Sequence, residues 1–350
     1  MSVSHWIYQE QLFLGLTAAH WIYLLVLCGG FIVGLLTAVA YTTLFERKLI
    51  SWMQVRNGPN RAGPLGLLQP LADGIKLFFK EDTIPDTADR ALHRLAPAIS
   101  VFAAMAAFAI VPLGDKYTLP YVGEIQLYIA NLNVGVLYLL GVASLGVYGI
   151  VIGGWASGNK YSLLGALRGA AQLVSYEIVL GMSLVGVVMI TGEMSIKGIV
   201  DWQAAHHVPL LLLQPVGFVL FVIGMFAETN RAPFDLVEAD TELVAGFHTE
   251  YSGFRFGMFM MSEYMAMITV SAVATSLFLG GYGGPFGFLP GPWWVFLGVF
   301  GFLFFFVWVR ATIPRLRYDQ LMGLSWGWLI PIGLVNLAVT AVAIVLLDSP

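Results

Sequence analysis

Residues 324–347 read LSWGWLIPIGLVNLAVTAVAIVLL, a stretch without one charged side chain. A helix needs about 20 such residues to cross a hydrocarbon layer about 30 Å thick, and a continuous helix leaves no backbone group unsatisfied there. Working outward from this run, seven further spans are read at about 20–46, 93–113, 133–156, 165–190, 207–227, 253–281 and 292–311. Only 11% of the 350 residues are charged and 58% are hydrophobic. Soluble domains carry roughly 25% charged residues, so this chain could not cover a water-soluble surface. Segments of alternating polarity, which a transmembrane barrel requires, are absent. The expected fold is an all-α integral membrane protein: one polytopic domain over 1–350, with about eight transmembrane helices.

Charge orients it. The first cation is Arg47, after the first span, and no cationic segment precedes that span as a cleavable leader would require. The connections after spans one, three, five and seven, with the adjoining span ends, hold 15 of the 17 cations; Lys116 and Lys197 are the others. By the positive-inside rule, both termini are expected on the outer (periplasmic) side and the odd connections on the inner side.

Much redox chemistry is excluded from this chain. Its one cysteine, Cys28, lies within span one and reads as a packing residue. One cysteine cannot hold an iron–sulfur cluster. His20, His93, His206 and His207 fall at span ends, His5 is terminal and His248 is in a connection, so no mid-span pair suits a haem. Neither a Walker-type loop nor a dinucleotide fingerprint occurs. Electron carriers are therefore expected elsewhere.

Four stretches place polarity where it is costly. After span one come Glu46-Arg47-Lys48 and Arg56-Asn57-Gly58-Pro59-Asn60, a tight turn. Then Leu67, Leu68, Leu71, Ile75, Phe78 and Phe79 recur at three- and four-residue steps opposite Asp73, Lys76 and Lys80. That predicts an amphipathic interfacial helix at about 65–80, either a surface anchor or one wall of a cavity. Glu177, near mid-depth in span four, is costly there whether it serves as inter-helix glue or in a relay. The connection 228–252 holds Glu228, Asp235, Glu238, Asp240, Glu242 and Glu250 against a single Arg231, and Glu263 follows in span six. Asp235, Glu238 and Glu242 are spaced to share a helix face, with Pro233 suited to a first helical turn. Neighbouring carboxyl groups titrate as a coupled set, as a proton relay would need, although a solvated acidic loop would also read this way. Last, Arg310, Arg315 and Arg317 between spans seven and eight are a positive-inside anchor or a counter-charge to the acidic loop.

Taken together, Glu46-Arg47-Lys48, Arg56-Asn57-Gly58-Pro59-Asn60, Leu68-Gln69-Pro70-Leu71-Ala72-Asp73, Ser175-Tyr176-Glu177, Glu228-Thr229-Asn230-Arg231-Ala232-Pro233-Phe234-Asp235-Leu236, Glu250-Tyr251-Ser252-Gly253 and Pro314-Arg315-Leu316-Arg317-Tyr318-Asp319-Gln320-Leu321-Met322 resemble the H subunit of respiratory complex I, the proton-translocating NADH:quinone oxidoreductase. The mitochondrial counterpart is NADH dehydrogenase subunit 1. The motifs occur in order from about residue 20 to 345.

The resemblance implies a subunit without a redox centre, joining a hydrophilic quinone-reducing module on the cytoplasmic side to the pumping arm. Quinone is the implied substrate, with FMN and iron–sulfur clusters in partner subunits and small membrane subunits alongside. The implied location is the bacterial cytoplasmic (inner) membrane, and no nucleic acid is involved. Carried over by motif, Arg47, Arg56, Asp73 and Arg310 line the quinone channel. Glu177, Glu228, Asp235, Glu238, Asp240, Glu242, Glu250 and Glu263 form a proton path. Asp240 stands where the family commonly has Glu. The corresponding subunit of a membrane-bound hydrogenase, formate hydrogenlyase or F420 dehydrogenase is a related alternative. A free-standing secondary transporter would instead show an internal inverted repeat, and none is found.

Overall fold

A computed structural model describes residues 11–12, 16–119, 123–238, 240–287 and 290–348. His5 and the side chains of His20, Lys116 and Asp240 lie outside the described residues. The apolar runs form helices because only a helix satisfies its own backbone in lipid. In chain order these are α1 (Ala18–Met53), α2 (Gln69–Phe79), α3 (Arg90–Phe108), α4 (Gly135–Ala156), α5 (Lys160–Thr191), α6 (Ile196–His206), α7 (Leu210–Leu213), α8 (Pro215–Glu228), α9 (Asp240–Leu243), α10 (Gly253–Phe278), α11 (Pro292–Thr312), α12 (Tyr318–Leu324) and α13 (Ile330–Asp348). Two short hairpins, β1–β2 (Gln11–Leu12, Leu16–Thr17) and β3–β4 (Lys116–Leu119, Gly123–Gln126), were not expected from the sequence.

Among the described residues, seven helical segments are long and apolar enough to span a membrane: 25–53, 90–108, 135–156, 160–191, 253–278, 292–312 and 318–347. The last is α12 and α13 joined by a π-helical turn at Ser325–Leu329. With 36 residues, α1 is about 54 Å long, so one end must extend past the hydrocarbon or tilt within it. The expected eighth span, 207–227, is split into α7 and α8. Pro215 has no amide hydrogen and restricts Gln214, whose backbone leaves the helical region at φ −130°, ψ 56°. Across the break the Gln214 amide still donates to Leu210 O (2.8 Å) and its carbonyl accepts from the Phe218 amide (2.9 Å), while the buried Gln214 side chain donates to Thr340 (2.5 Å) and accepts from Asn336 (2.9 Å), both on α13.

Helix ends follow local chemistry. Asp89 accepts the Ala91 and Leu92 amides at the start of α3, Asn159 accepts the Tyr161 amide at the start of α5, and Ser195 that of Gly198 in α6. The core lies where α3, α4, α5, α8 and α10 meet, with Tyr176, Leu184, Phe221, Met265 and Phe278 fully buried. Small residues bring α3 and α4 together: Ala96, Ser100 and Ala103 face Gly153, Gly149 and Gly146, as is usual where no hydrophobic effect drives helix association. A Cβ on Gly149 would stand 2.0 Å from Ser100 Oγ, whereas one on Gly141 meets nothing within 4 Å.

Overpacking of this kind costs about 1–3 kcal/mol, so Gly149→Val lowers the midpoint of thermal aggregation of the solubilised assembly, and Gly141→Ala leaves it unchanged.

Candidate functional site

Near the C-terminal end of α1, Glu46 is only 3% exposed. Its Oε1 accepts from Arg231 Nη1 at 2.9 Å and from Arg310 Nη1, and its Oε2 from the Tyr264 hydroxyl at 2.7 Å. Residues far apart in sequence thus meet on one carboxylate, from α1, the turn after α8, α10 and α11. A buried carboxylate without such partners would be prohibitively costly. Arg231 also reaches the next acid: its Nε lies 2.5 Å from Glu263 Oε1, an ion-pair contact without hydrogen-bond alignment. The guanidinium lies 4.5 Å from the Tyr264 ring centroid. Burial works against the charge on Arg231, but the carboxylates of Glu263 and Glu46 outweigh it and its pKa is raised.

The turn carrying Arg231 is held by Gln172 of α5, which is fully buried. Its Nε2 donates to Ala227 O (2.9 Å) and Phe234 O (2.8 Å), with Asn230 Oδ1 at 3.2 Å. The Leu316 amide donates to Pro233 O at 3.1 Å, tying the α11–α12 connection to the same turn. The backbone of 229–238 is irregular. Thr229 ends α8, Asn230 has φ +51°, and Pro233 does not begin a helix. The expected helix face of Asp235, Glu238 and Glu242 does not form. Gly246 explains the path in part: at φ +57° it sits where a Cβ would be 1.7 Å from Val237 O.

What this turn builds is a cavity of about 150 Å³ between α3, α4, α5, α8 and α10. Four carboxyl groups from four segments line it: Glu177 of α5, Glu228 at the end of α8, Glu238 of the turn and Glu263 of α10. Ser144 of α4 donates to Glu177 Oε1 and also lies 2.9 Å from Leu140 O. Beyond the acids the lining is mostly apolar, from Ala103, Ala107, Leu180, Leu184 and Val273, with Ser100, Thr229, Asn230, Ser262 and Thr269 among its few polar residues. A water needs roughly 10–15 Å³ of such space and two or more polar partners, so the acid end can hold a short chain of waters.

The remaining sequence candidates lie around this centre. Arg47 pairs with Asp73 at 2.6 Å, joining α1 to α2, and Gln69 donates to the other Asp73 oxygen at 2.9 Å. Arg310 joins Glu46 and is 44% exposed, so it also faces outward. Arg56 donates to Gln54 (2.6 Å) within its own turn and does not reach the cluster. Arg168 holds Glu242 at 2.6 Å, and Asn159 donates to Glu250 at 2.6 Å; neither acid lines the cavity. Asp235 sits on the turn beside Phe234, half-buried and outside the cavity lining. Asp240 begins α9.

Sequence reading assigned no role to Glu46, Arg231, Tyr264 or Gln172. For Glu46 a signal existed: an acid at the end of an apolar span needs a cation brought by another helix. Nothing local marks Tyr264 or Gln172, whose roles depend on contacts remote in sequence.

Comparison with known proteins gives a consistent result. The family model described as NADH dehydrogenase matches residues 26–341. A protein from Thermomicrobium roseum, named as the H subunit of NADH-quinone oxidoreductase, is 55% identical over 315 residues, covering 87% of this chain and 91% of its own length. One of the same name from Syntrophotalea carbinolica is 50% identical, covering 91% of this chain and 95% of its own. An H subunit numbered 2 from Geobacter metallireducens is 48% identical over 341 residues, covering 95% and 98%.

Removing one partner of a buried ion pair costs about 3–5 kcal/mol, because the other is left charged and unpaired. Glu46→Gln and Arg231→Met should therefore each destabilise the solubilised assembly strongly, and the double variant by much less than their sum. The exposed pair should behave otherwise, with Asp73→Asn costing about 1 kcal/mol or less. Thermal denaturation of the four variants checks both expectations.

Proposed function

Because the chain belongs to the NADH dehydrogenase family, among the H subunits of NADH-quinone oxidoreductases, we propose that it forms that enzyme's quinone-access channel and couples quinone reduction to proton translocation through its buried carboxyl groups. The chain is one subunit of an enzyme complex, a multi-pass membrane protein, and its partners are the other subunits. In the proposed arrangement it lies in the bacterial cytoplasmic membrane with both termini outside. The hydrophilic quinone-reducing module docks on the inner face, small membrane subunits lie beside it, and FMN and iron–sulfur clusters belong to the partners.

The observation that carries the coupling is the cavity in which Glu177, Glu228, Glu238 and Glu263 converge, adjoining the Arg231–Glu46 cluster. Arg231 touches both Glu46 and Glu263. A charge arriving on a quinone near Arg310 and the Arg47–Asp73 pair would alter the field at Glu46, and Arg231 would pass that change to the proton affinity of Glu263. Ser144 suits a relay end. When Glu177 is protonated it can donate to Ser144, leaving that hydroxyl to donate to Leu140 O; when ionised, Glu177 takes the hydroxyl's own hydrogen bond. The proposed relay comprises the four cavity carboxyls, with Asp235 on its approach and Asp240 assigned to it by motif alone. Glu242 and Glu250 stand at its rim, held by Arg168 and Asn159. In the channel, the Arg47–Asp73 pair fixes α2 against α1, and the exposed apolar side chains Leu71, Ile75 and Phe78 would receive the quinone tail.

In the intact complex, Glu228→Gln and Glu263→Gln should each lower NADH:quinone reductase activity and proton translocation about tenfold or more, some 1.4 kcal/mol of barrier. Glu193→Gln, on an exposed connection far from the cavity, should stay within about twofold of the parent. Parent-like pumping in both cavity variants would remove these acids from the mechanism.

A further inference from the structure

Away from the carboxyl cavity, a second space of about 510 Å³ runs along the outer side of α3 and α4. Its walls are Leu95, Ala98 and Phe102 of α3 and Leu145, Tyr148 and Ile152 of α4. We propose that this groove is a specific site for an anionic phospholipid, one acyl chain lying between the helices and the phosphate at Arg94.

Shape is the first argument. On the face turned away from the groove, α3 meets α4 through small residues, Ala96, Ser100 and Gly149. The outer groove is walled by large side chains, with Ala98 the one small residue among those six, so it lacks the close seat by which α3 and α4 join. A slender polymethylene chain needs no such seat. From Leu95 to Phe102 the groove follows α3 for about 10 Å, the length of several methylenes, and its lining offers almost no polar surface.

Charge at one end is the second argument. Arg94 is exposed and immediately precedes Leu95, and exposed Arg90 stands one turn earlier. Neither takes part in an ion pair among the described residues. The acids nearest in sequence are Asp86 and Asp89, and Asp89 is occupied with the first amides of α3. On the α4 side, exposed Trp155 lies one turn beyond Ile152, at the same end, as aromatic side chains do at the headgroup level. An apolar slot ending in two unpaired guanidinium groups and an indole matches an acyl chain below an anionic headgroup. This site is independent of the proton path and stands or falls without it.

The test uses the whole assembly with p-benzoylphenylalanine in place of Tyr148, reconstituted in nanodiscs of phosphatidylethanolamine containing a minor share of phosphatidylglycerol. After irradiation, mass spectrometry of the labelled chain reads the headgroup of each lipid adduct. Phosphatidylglycerol should be enriched in the adducts about fivefold or more over its bulk share, and Arg94→Gln should reduce that enrichment about fivefold. Three results would overturn the site: adducts that mirror the bilayer composition, enrichment that survives Arg94→Gln combined with Arg90→Gln, or cross-links to a neighbouring protein helix in place of lipid.

Discussion

Glu46 shares its carboxylate among Arg231, Arg310 and Tyr264 in a place water scarcely reaches, and the arrangement of that half of the molecule follows from the sharing. A buried acid stabilises a fold only when every partner is in place, so α1, α10, α11 and the turn after α8 are fixed relative to one another. Arg231 then extends the constraint to Glu263, which puts the cluster and the carboxyl cavity in direct contact. The residues proposed for the quinone side and those proposed for the proton path are thereby joined through one guanidinium.

The cavity depends on a second constraint. A regular helix satisfies its own backbone, but the turn at 229–238 exposes backbone carbonyls inside the protein. Gln172 answers them from α5 with a side-chain amide, and the Leu316 amide answers Pro233 O. An irregular backbone inside a membrane protein is tolerated when it is enclosed by protein or lines a cavity, and here both hold. That irregularity turns Glu238 inward to the cavity, while Glu242 is drawn outward to Arg168.

How much of this was legible in the sequence depended on how local each cause was. Spans, their polar ends and the amphipathic α2 follow from short-range composition, and they were readable. The break between α7 and α8 had a local cause in Gln214-Pro215, yet the apolar run on either side concealed it. Equal spacing of Asp235, Glu238 and Glu242 suggested one helical face. Propensity lost there to tertiary structure, because Gly246 closes on Val237 and Gln172 clasps the backbone. Glu46 with Arg231 and Arg310 spans most of the chain, so no window of sequence could display the pairing. The family resemblance placed Glu177, Glu228, Glu238 and Glu263 in one path; side-chain geometry separates them from Glu242 and Glu250, which motif matching could not do.

The central claim is that the cavity acids change protonation when the quinone changes redox state, with Arg231 as the connection. Redox-induced infrared difference spectroscopy of the intact complex addresses it directly, because a protonated carboxyl has its own carbonyl band that shifts on deuteration. The account predicts a deuterium-sensitive carboxyl band that changes on quinone reduction, is lost in Glu263→Gln, and is displaced in Arg231→Lys. A difference spectrum without a carboxyl signal, or one untouched by either substitution, would contradict it.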